Sequence, residues 1–272
     1  MNHPKKKLYI LPGWGGTKET WKYFCALAEE YFDVDVIELP CFGSEPCPNE
    51  VWGIEEYAEF VRKQIEKKTH HLYYNHPCTE KRRDILKDSE IPQIPLVVRD
   101  DVIVLGHSFG GQVATYVTAK HPELVGKLIL VAPAVVRSKI QCKRLFFLSI
   151  AKIGKSIAHL PGIHRFDALL KKILYRIADS PDYSATSGIQ REIYQNIIRQ
   201  DLTHLLPTVM QQTLVIWGSD DRVTPIWQAK KMMRILPHAS LHVIQHGRHG
   251  LHHERTANSL LDTISTFLTS TP

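Results

Sequence analysis

The chain has 272 residues, 43% hydrophobic and 23% charged, the values of an ordinary globular protein with room for a large buried core. Its formal net charge of +6 is mildly basic, but no nucleic-acid-binding motif or aromatic-basic platform accompanies it, so nucleic acid is set aside as a partner. No apolar run suits a membrane-spanning helix, and the basic start Met1 to Lys7 lacks the apolar stretch of a signal peptide, so a cytoplasmic location is expected.

Taken in order, the sequence alternates strand and helix signals. Lys7-Leu8-Tyr9-Ile10-Leu11 reads as a first strand, ended by the turn Pro12-Gly13-Trp14-Gly15-Gly16. Helical spacing of Trp21, Phe24, Leu27 and Ala28 predicts a helix from Lys18 to Glu30. Val34 to Leu39 is a second strand, closed by Pro40-Cys41-Phe42-Gly43-Ser44, and Tyr57, Phe60, Val61 and Ile65 mark a helix from Ile54 to Lys68. Further strands are expected at Val102–Leu105, Val125–Val131, Thr213–Trp217 and Ser240–Ile244, with helices over Ile226–Ile235 and Thr256–Leu268. This alternation predicts an α/β fold: a mostly parallel central sheet with helices on both faces, ligands sitting at the carboxyl ends of its strands.

Two segments break the rhythm. Residues 69–100 show no clear period; His70, His71, His76 and Cys78 lack a convincing metal-ligand spacing there, so a solvated loop is expected and no metal. Residues 137–200 read as a helix-rich insertion, which divides the chain into a discontinuous core, 1–136 with 201–272, and a helical cap. From Arg137 to Arg176 ten Lys and Arg residues accompany one acid, Asp167, among apolar positions such as Phe146 and Phe147. The five cysteines are odd in number and lack C-x-x-C spacing, so free thiols in a reducing compartment are expected, with a Cys41–Cys47 bridge as the alternative.

The most informative stretch is Val102-Ile103-Val104-Leu105-Gly106-His107-Ser108-Phe109-Gly110-Gly111. Here a buried-strand pattern runs into Gly-x-Ser-x-Gly and then a helix. Glycines on either side let a tight strand-to-helix turn hold the serine hydroxyl clear of the sheet edge. A serine needs a base, and the base needs an orienting acid. His249, in the loop after the last strand, is the candidate base; His246, His252 and His253 compete with it. In Gly218-Ser219-Asp220-Asp221-Arg222-Val223-Thr224-Pro225, Asp221 is the candidate acid, and Asp220 reads as capping the turn. Each follows a different strand, in the chain order Ser, Asp, His. Backbone N–H groups of Phe109, opening the helix, and Trp14, in the glycine-rich turn, are candidate oxyanion donors.

These motifs, with Leu39-Pro40-Cys41-Phe42-Gly43-Ser44 and His249 followed by Glu254, resemble the α/β-hydrolase superfamily, specifically its capped branch of small esterases and C–C bond hydrolases. The resemblance covers nearly the whole chain. It implies nucleophile, acid and base at Ser108, Asp221 and His249, oxyanion donors at Trp14 and Phe109, and a cap over Arg137–Gln200 roofing the substrate. Pro12 departs from the histidine usual before the glycine, which removes a supporting contact and leaves the backbone donor. The expected activity is hydrolysis of carboxylic esters of small to medium acyl chains, without cofactor. Trp14, Phe42, Phe109, Phe146 and Phe147 would line the pocket. C–C bond or lactone hydrolysis is the alternative, as is an ester carried by an acidic acyl carrier protein docked on the basic cap. The PGWGG turn with Thr20-Trp21 is similar to pimeloyl-carrier-protein methyl ester esterases. A non-catalytic hydrolase-like binding protein is a further reading, and the chain is expected as a monomer or small homo-oligomer.

Overall fold

A computed structural model describes residues 5–74, 101–137 and 186–270, without the side chains of 70–74. The described residues fall into two compact units: those within Met1–Cys47, Ile54–Val136 and Leu202–Pro272, and those within Pro48–Gly53 and Arg137–Asp201.

The first unit is built on a sheet of six strands: β1 (Lys7–Leu11), β2 (Asp33–Val36), β3 (Val102–His107), β4 (Lys127–Val131), β5 (Gln212–Gly218) and β6 (Ala239–Ile244). All pairings are parallel, in the order β2-β1-β3-β4-β5-β6. Burial explains why β3 is apolar without alternation. Val102 to Leu105 are covered on both faces of the sheet, as parallel strands require. The chain leaves β1 in one direction to make β2 and returns on its other side to make β3. The sheet therefore has its topological switch between β1 and β3, where ligands bind in open α/β sheets.

The helices of this unit follow from their apolar stripes. α1 (Lys18–Ala28) buries Trp21, Phe24, Cys25 and Ala28, and Thr17 caps it reciprocally with Thr20. Its buried stripe joins Leu8, Ile10, Ile103, Leu105, Ile129 and Ile216 in one cluster, together with Ala257, Leu260, Leu261 and Ile264 of the last helix. α2 (Ile54–Tyr74) packs on α3 (Phe109–Lys120), which is buried along most of its length. α2 runs past the expected end at Lys68. No glycine or proline interrupts the chain before Pro77, and the Thr69 hydroxyl folds back onto the Ile65 carbonyl at 2.5 Å. The remainder of the 69–100 segment lies outside the described residues. β2 is shorter than expected, although the Ile37 N–H still donates to the Ile10 carbonyl at 2.9 Å.

In the second unit, α4 (Gly188–Ile197) buries Ile193 and Ile197, and Asn196 donates to the Trp52 carbonyl at 3.2 Å. Two further helices belong to the first unit: α5 (Trp227–Met233) between β5 and β6, and α6 (Glu254–Ser270) at the end. No described helix is long and apolar enough to cross a membrane.

The structure corrects the thiol expectation. Cys41 and Cys47 form a disulfide, while Cys25 is free and buried, its thiol pushed up to about 11 by burial and the nearby Glu29 charge. Cys78 and Cys142 lie outside the described residues. Physically, Cys41 (φ 78°) and Gly43 (φ 60°) fold the loop back, and the Cys41 N–H donates to the Pro46 carbonyl at 3.3 Å. An odd total said nothing about this local return of the chain. A cystine suits oxidising surroundings, so the reducing-compartment expectation loses the support it drew from free thiols.

Candidate active site

Four loops meet the carboxyl edge of the sheet, after β1, β3, β5 and β6. Ser108 sits in the turn between β3 and α3 with φ 51° and ψ −112°, a conformation that side chains rarely adopt. Backbone bonds hold it there: its N–H donates to the Val131 carbonyl at 3.1 Å, and its own carbonyl accepts from Ala134 at 2.9 Å and Gly111 at 3.1 Å. The flanking glycines are required by packing. A Cβ on Gly110 would lie 2.1 Å from the Leu11 carbonyl oxygen, and one on Gly106 would lie 2.6 Å from that of Gly110. The turns after β1 and β3 are thus pressed together at the switch point. Gly13 is also near, since a Cβ there would stand 3.2 Å from the Ser108 Cβ.

Phe109 is the first helical residue of α3, so its N–H has no partner inside the helix and lies at the positive end of the helix dipole. Trp14 lies half-buried in the turn after β1. Its ring packs edge-on against Phe42 at 4.8 Å and Phe109 at 5.5 Å, and Phe109 meets Tyr57 at 5.0 Å. Three of the five expected pocket residues therefore form one aromatic corner beside Ser108. Phe146 and Phe147 lie outside the described residues, as does most of the basic insertion.

The acid and base candidates separate by geometry. Asp221 Oδ2 and His249 Nδ1 are 2.8 Å apart, with side chains 0% and 20% exposed. Asp220 and His246 also approach each other, but at 3.9 Å and with side chains 53% and 88% exposed. His253 is exposed as well, whereas His252 is buried and stacks on Trp21 at 4.2 Å. Its imidazole is pushed down to about 3 by burial, aided by the neighbouring His253 and His249.

Asp221 is held from every side. Oδ1 accepts the N–H groups of Val223 at 2.8 Å and Thr224 at 2.9 Å, while Oδ2 accepts the Thr224 hydroxyl at 2.8 Å as well as His249. Burial opposes its charge, but the His249 bond and the Thr224 donors outweigh that and keep the carboxyl below its ordinary range. Because a carboxylate only accepts, His249 carries a proton on Nδ1 and leaves Nε2 free to act as a base. Among the described residues the Ser108 hydroxyl makes no hydrogen bond, so the structure joins Asp221 to His249 without linking Ser108 to His249.

Two contributors carried no weight in the motif reading. Thr224 secures the Asp221 carboxylate through both its N–H and its hydroxyl; an Asp followed three residues on by Thr is a turn signature that could have revealed it. His107, the variable position of Gly-x-Ser-x-Gly, is buried and bonds the His249 carbonyl at 3.0 Å, for which sequence gives no signal.

A parallel sheet with a strained serine turn at its switch point, and a carboxylate–imidazole pair in the loops after later strands, defines a protein of the α/β-hydrolase class. Residues 8–258 match the Alpha/beta hydrolase family, and the chain belongs to that family. It is 24% identical over 257 residues to a pimeloyl-[acyl-carrier protein] methyl ester esterase of Neisseria meningitidis, covering 90% of this chain and 71% of that protein. It is 26% identical over 160 residues to a 2-hydroxy-6-oxononadienedioate/2-hydroxy-6-oxononatrienedioate hydrolase of a Pseudomonas species, spanning 52% of this chain and 53% of that one. The chain thus spans about half the length of the Pseudomonas relative. Among solved structures, an esterase from Exiguobacterium antarcticum superposes with a TM-score of 0.67 at 17% identity, over 98% of this chain and 93% of that one. The relatives thus include both a methyl ester esterase and a dienedioate/trienedioate hydrolase.

Proposed function

We propose that this hydrolase cleaves carboxylic esters through an acyl-enzyme formed on Ser108. The observation that carries the reading is the 2.8 Å bond between the buried Asp221 carboxylate and His249, on the same sheet edge as the strained Ser108 turn. His249 Nε2 takes the Ser108 proton as Oγ attacks the ester carbonyl carbon. The oxyanion accepts from the N–H groups of Phe109 and Trp14. Collapse breaks the bond to the alcohol oxygen, which leaves with the proton from His249. Water, deprotonated by the same nitrogen, then releases the acid and restores the serine. Phe42, Trp14 and Phe109 provide an apolar wall for a small to medium acyl chain. A panel of p-nitrophenyl esters from acetate to octanoate tests this. Wild-type turnover and labelling by a fluorophosphonate probe are expected to vanish in Ser108→Ala; retained turnover would sink the serine reading. A wild-type chain that hydrolyses no ester and leaves the probe unreacted would point to a binding protein, and cleavage of a dienedioate over every ester would favour the C–C reaction.

A carrier-linked ester is the narrower reading, favoured by charge as well as by the Neisseria relative. From Arg222 to His253 the chain contains five Lys and Arg residues and no acid. Arg222, Lys230, Arg234 and Arg248 are exposed, and none makes an ion pair with a described residue. Arg222 follows β5 near Asp221 and Arg248 precedes His249, and such basic side chains in the acid and base loops suit an acidic carrier surface, in addition to any contribution from the basic insertion. The affinity of an acyl carrier protein should fall steeply with salt; a salt-independent affinity would refute the electrostatic docking.

A further inference from the structure

We propose that His107 is a positioning residue: its buried imidazole clamps the main chain of the base, so that His249 is held from both ends. The inference rests on the role given to His249 above and concerns what keeps that residue in place. Asp221 fixes the tip of the His249 side chain, while His107 Nε2 reaches the His249 carbonyl at 3.0 Å. A carbonyl oxygen only accepts, so His107 carries its proton on Nε2 and a lone pair on Nδ1.

The surroundings of His107 fix that tautomer. The side chain ends β3 immediately before Ser108 and is 6% exposed. Its ring lies 4.8 Å from the His249 ring, 5.1 Å from His252 and 6.0 Å from Trp21. Nδ1 has no hydrogen-bond partner among the described residues and points toward Gly13, where an added Cβ would sit only 2.9 Å away. A second proton would therefore be buried without an acceptor, among His249, His252 and His253. Burial, and then those neighbours, hold His107 well below the usual histidine range.

The loop needs such a hold. Between Gly247 and Leu251, the hydrogen bonds within the loop are local: Gly247 to Ile244 at 3.2 Å, Leu251 to His249 at 3.2 Å. The Asp220 N–H anchors the Gly247 carbonyl at 2.9 Å, two residues before the base. At His249 itself, the described bonds to another part of the chain are those from Asp221, Thr224 and His107, and only the last engages the main chain. Removing it leaves the imidazole oriented by a carboxylate while the main chain of His249 keeps only its local bond from Leu251. The proton-accepting nitrogen must stay within a hydrogen bond of the serine, and a shift of about 1 Å can cost about 100-fold in rate.

His107→Leu removes the donor, and His107→Gln keeps an N–H at similar reach. On p-nitrophenyl butyrate, His107→Leu should lower kcat about 10- to 100-fold with KM within about 2-fold, and His107→Gln should restore most of the loss. Amide exchange over residues 247–251 should quicken in His107→Leu and return in His107→Gln. Unchanged exchange and kcat in His107→Leu, or equal damage in both variants, would overturn the clamp. If neither variant folds, the wild-type protein decides. Long-range nitrogen–proton NMR at neutral pH should find His107 protonated on Nε2 alone, and an Nδ1–H tautomer refutes the proposal. Exchange and tautomer do not depend on turnover. Failure of the Ser108 reading would appear as activity surviving in Ser108→Ala, separately from either result.

Discussion

Replacing Asp221 by Asn probes the site at the point where geometry is tightest. The side chain keeps its shape, and one oxygen can still accept the N–H groups of Val223 and Thr224 at the places recorded at 2.8 and 2.9 Å. The other oxygen becomes an NH2 group facing His249 Nδ1, 2.8 Å away. Two donors cannot bond, so the imidazole must move its proton to Nε2, where it can no longer accept from Ser108. The lost carboxylate–imidazole bond is worth about 1.5–3 kcal/mol as a charge-assisted contact. Holding the ring in the wrong tautomer adds to that; a matching Asp-to-Asn change in the serine-protease triad costs about 10⁴ in kcat. Here kcat for p-nitrophenyl butyrate should fall about 10³- to 10⁴-fold with KM within about 2-fold, while Tm stays within a few degrees. Asp220→Asn, on an exposed side chain, is the control and should leave kcat nearly intact. An Asp221→Asn enzyme keeping more than about a tenth of wild-type kcat, or a larger loss in Asp220→Asn, would refute the assignment of the acid.

Two further changes test the surrounding frame. His252, pushed down to about 3 in the fold, ordinarily titrates near 6.5 once the chain opens. Between those values the unfolded chain binds a proton that the folded one does not, so stability falls as pH drops from about 6.5 by about 1.4 kcal/mol per unit for this residue. His252→Phe keeps a ring against Trp21 and should flatten urea-unfolding stability against pH by about one proton; an unchanged slope would remove His252 from that role. Reducing the Cys41–Cys47 bridge, or changing both residues to Ser, releases the loop that seats Phe42 against Trp14. Closing so short a loop is worth about 2 kcal/mol, so Tm should drop by about 4–8 °C and KM for longer acyl esters should rise. A Tm unaffected by reductant would contradict it.

What could be read from sequence was what is local or periodic. The parallel sheet follows from continuous apolar runs such as Val102–Leu105, and α1 follows from Trp21, Phe24 and Ala28 at helical spacing. Candidate residues on the carboxyl edge were legible because a motif or a loop position singles them out. Missing were partners fixed by folding. His107 meets the carbonyl of a residue 142 positions away, and no local pattern encodes that. The Cys41–Cys47 bridge depends on two positive-φ residues in one loop, and counting cysteines cannot see backbone angles. The end of α2 was misplaced because an apolar stripe that fades into polar residues does not itself stop a helix; a proline or glycine does.

Strain itself points to the same edge. Among the described residues, Cys41, Ser108, Ala132 and His246 combine a side chain with positive φ, and each follows a strand of the parallel sheet. Such conformations cost of order 1–3 kcal/mol each and persist only where surrounding bonds over-determine them. Those bonds are present: the Ser108 carbonyl accepts from Ala134, Ala132 donates to Ile216 at 2.9 Å, and the His246 N–H donates to the Ser219 hydroxyl at 2.8 Å. Each bond ties a loop to the neighbouring strand or loop rather than to itself. A chain seeking stability alone would place glycine at these four turns. Keeping side chains there fixes the direction in which each loop departs, and two of these turns, after β3 and β6, open the loops that carry Ser108 and His249.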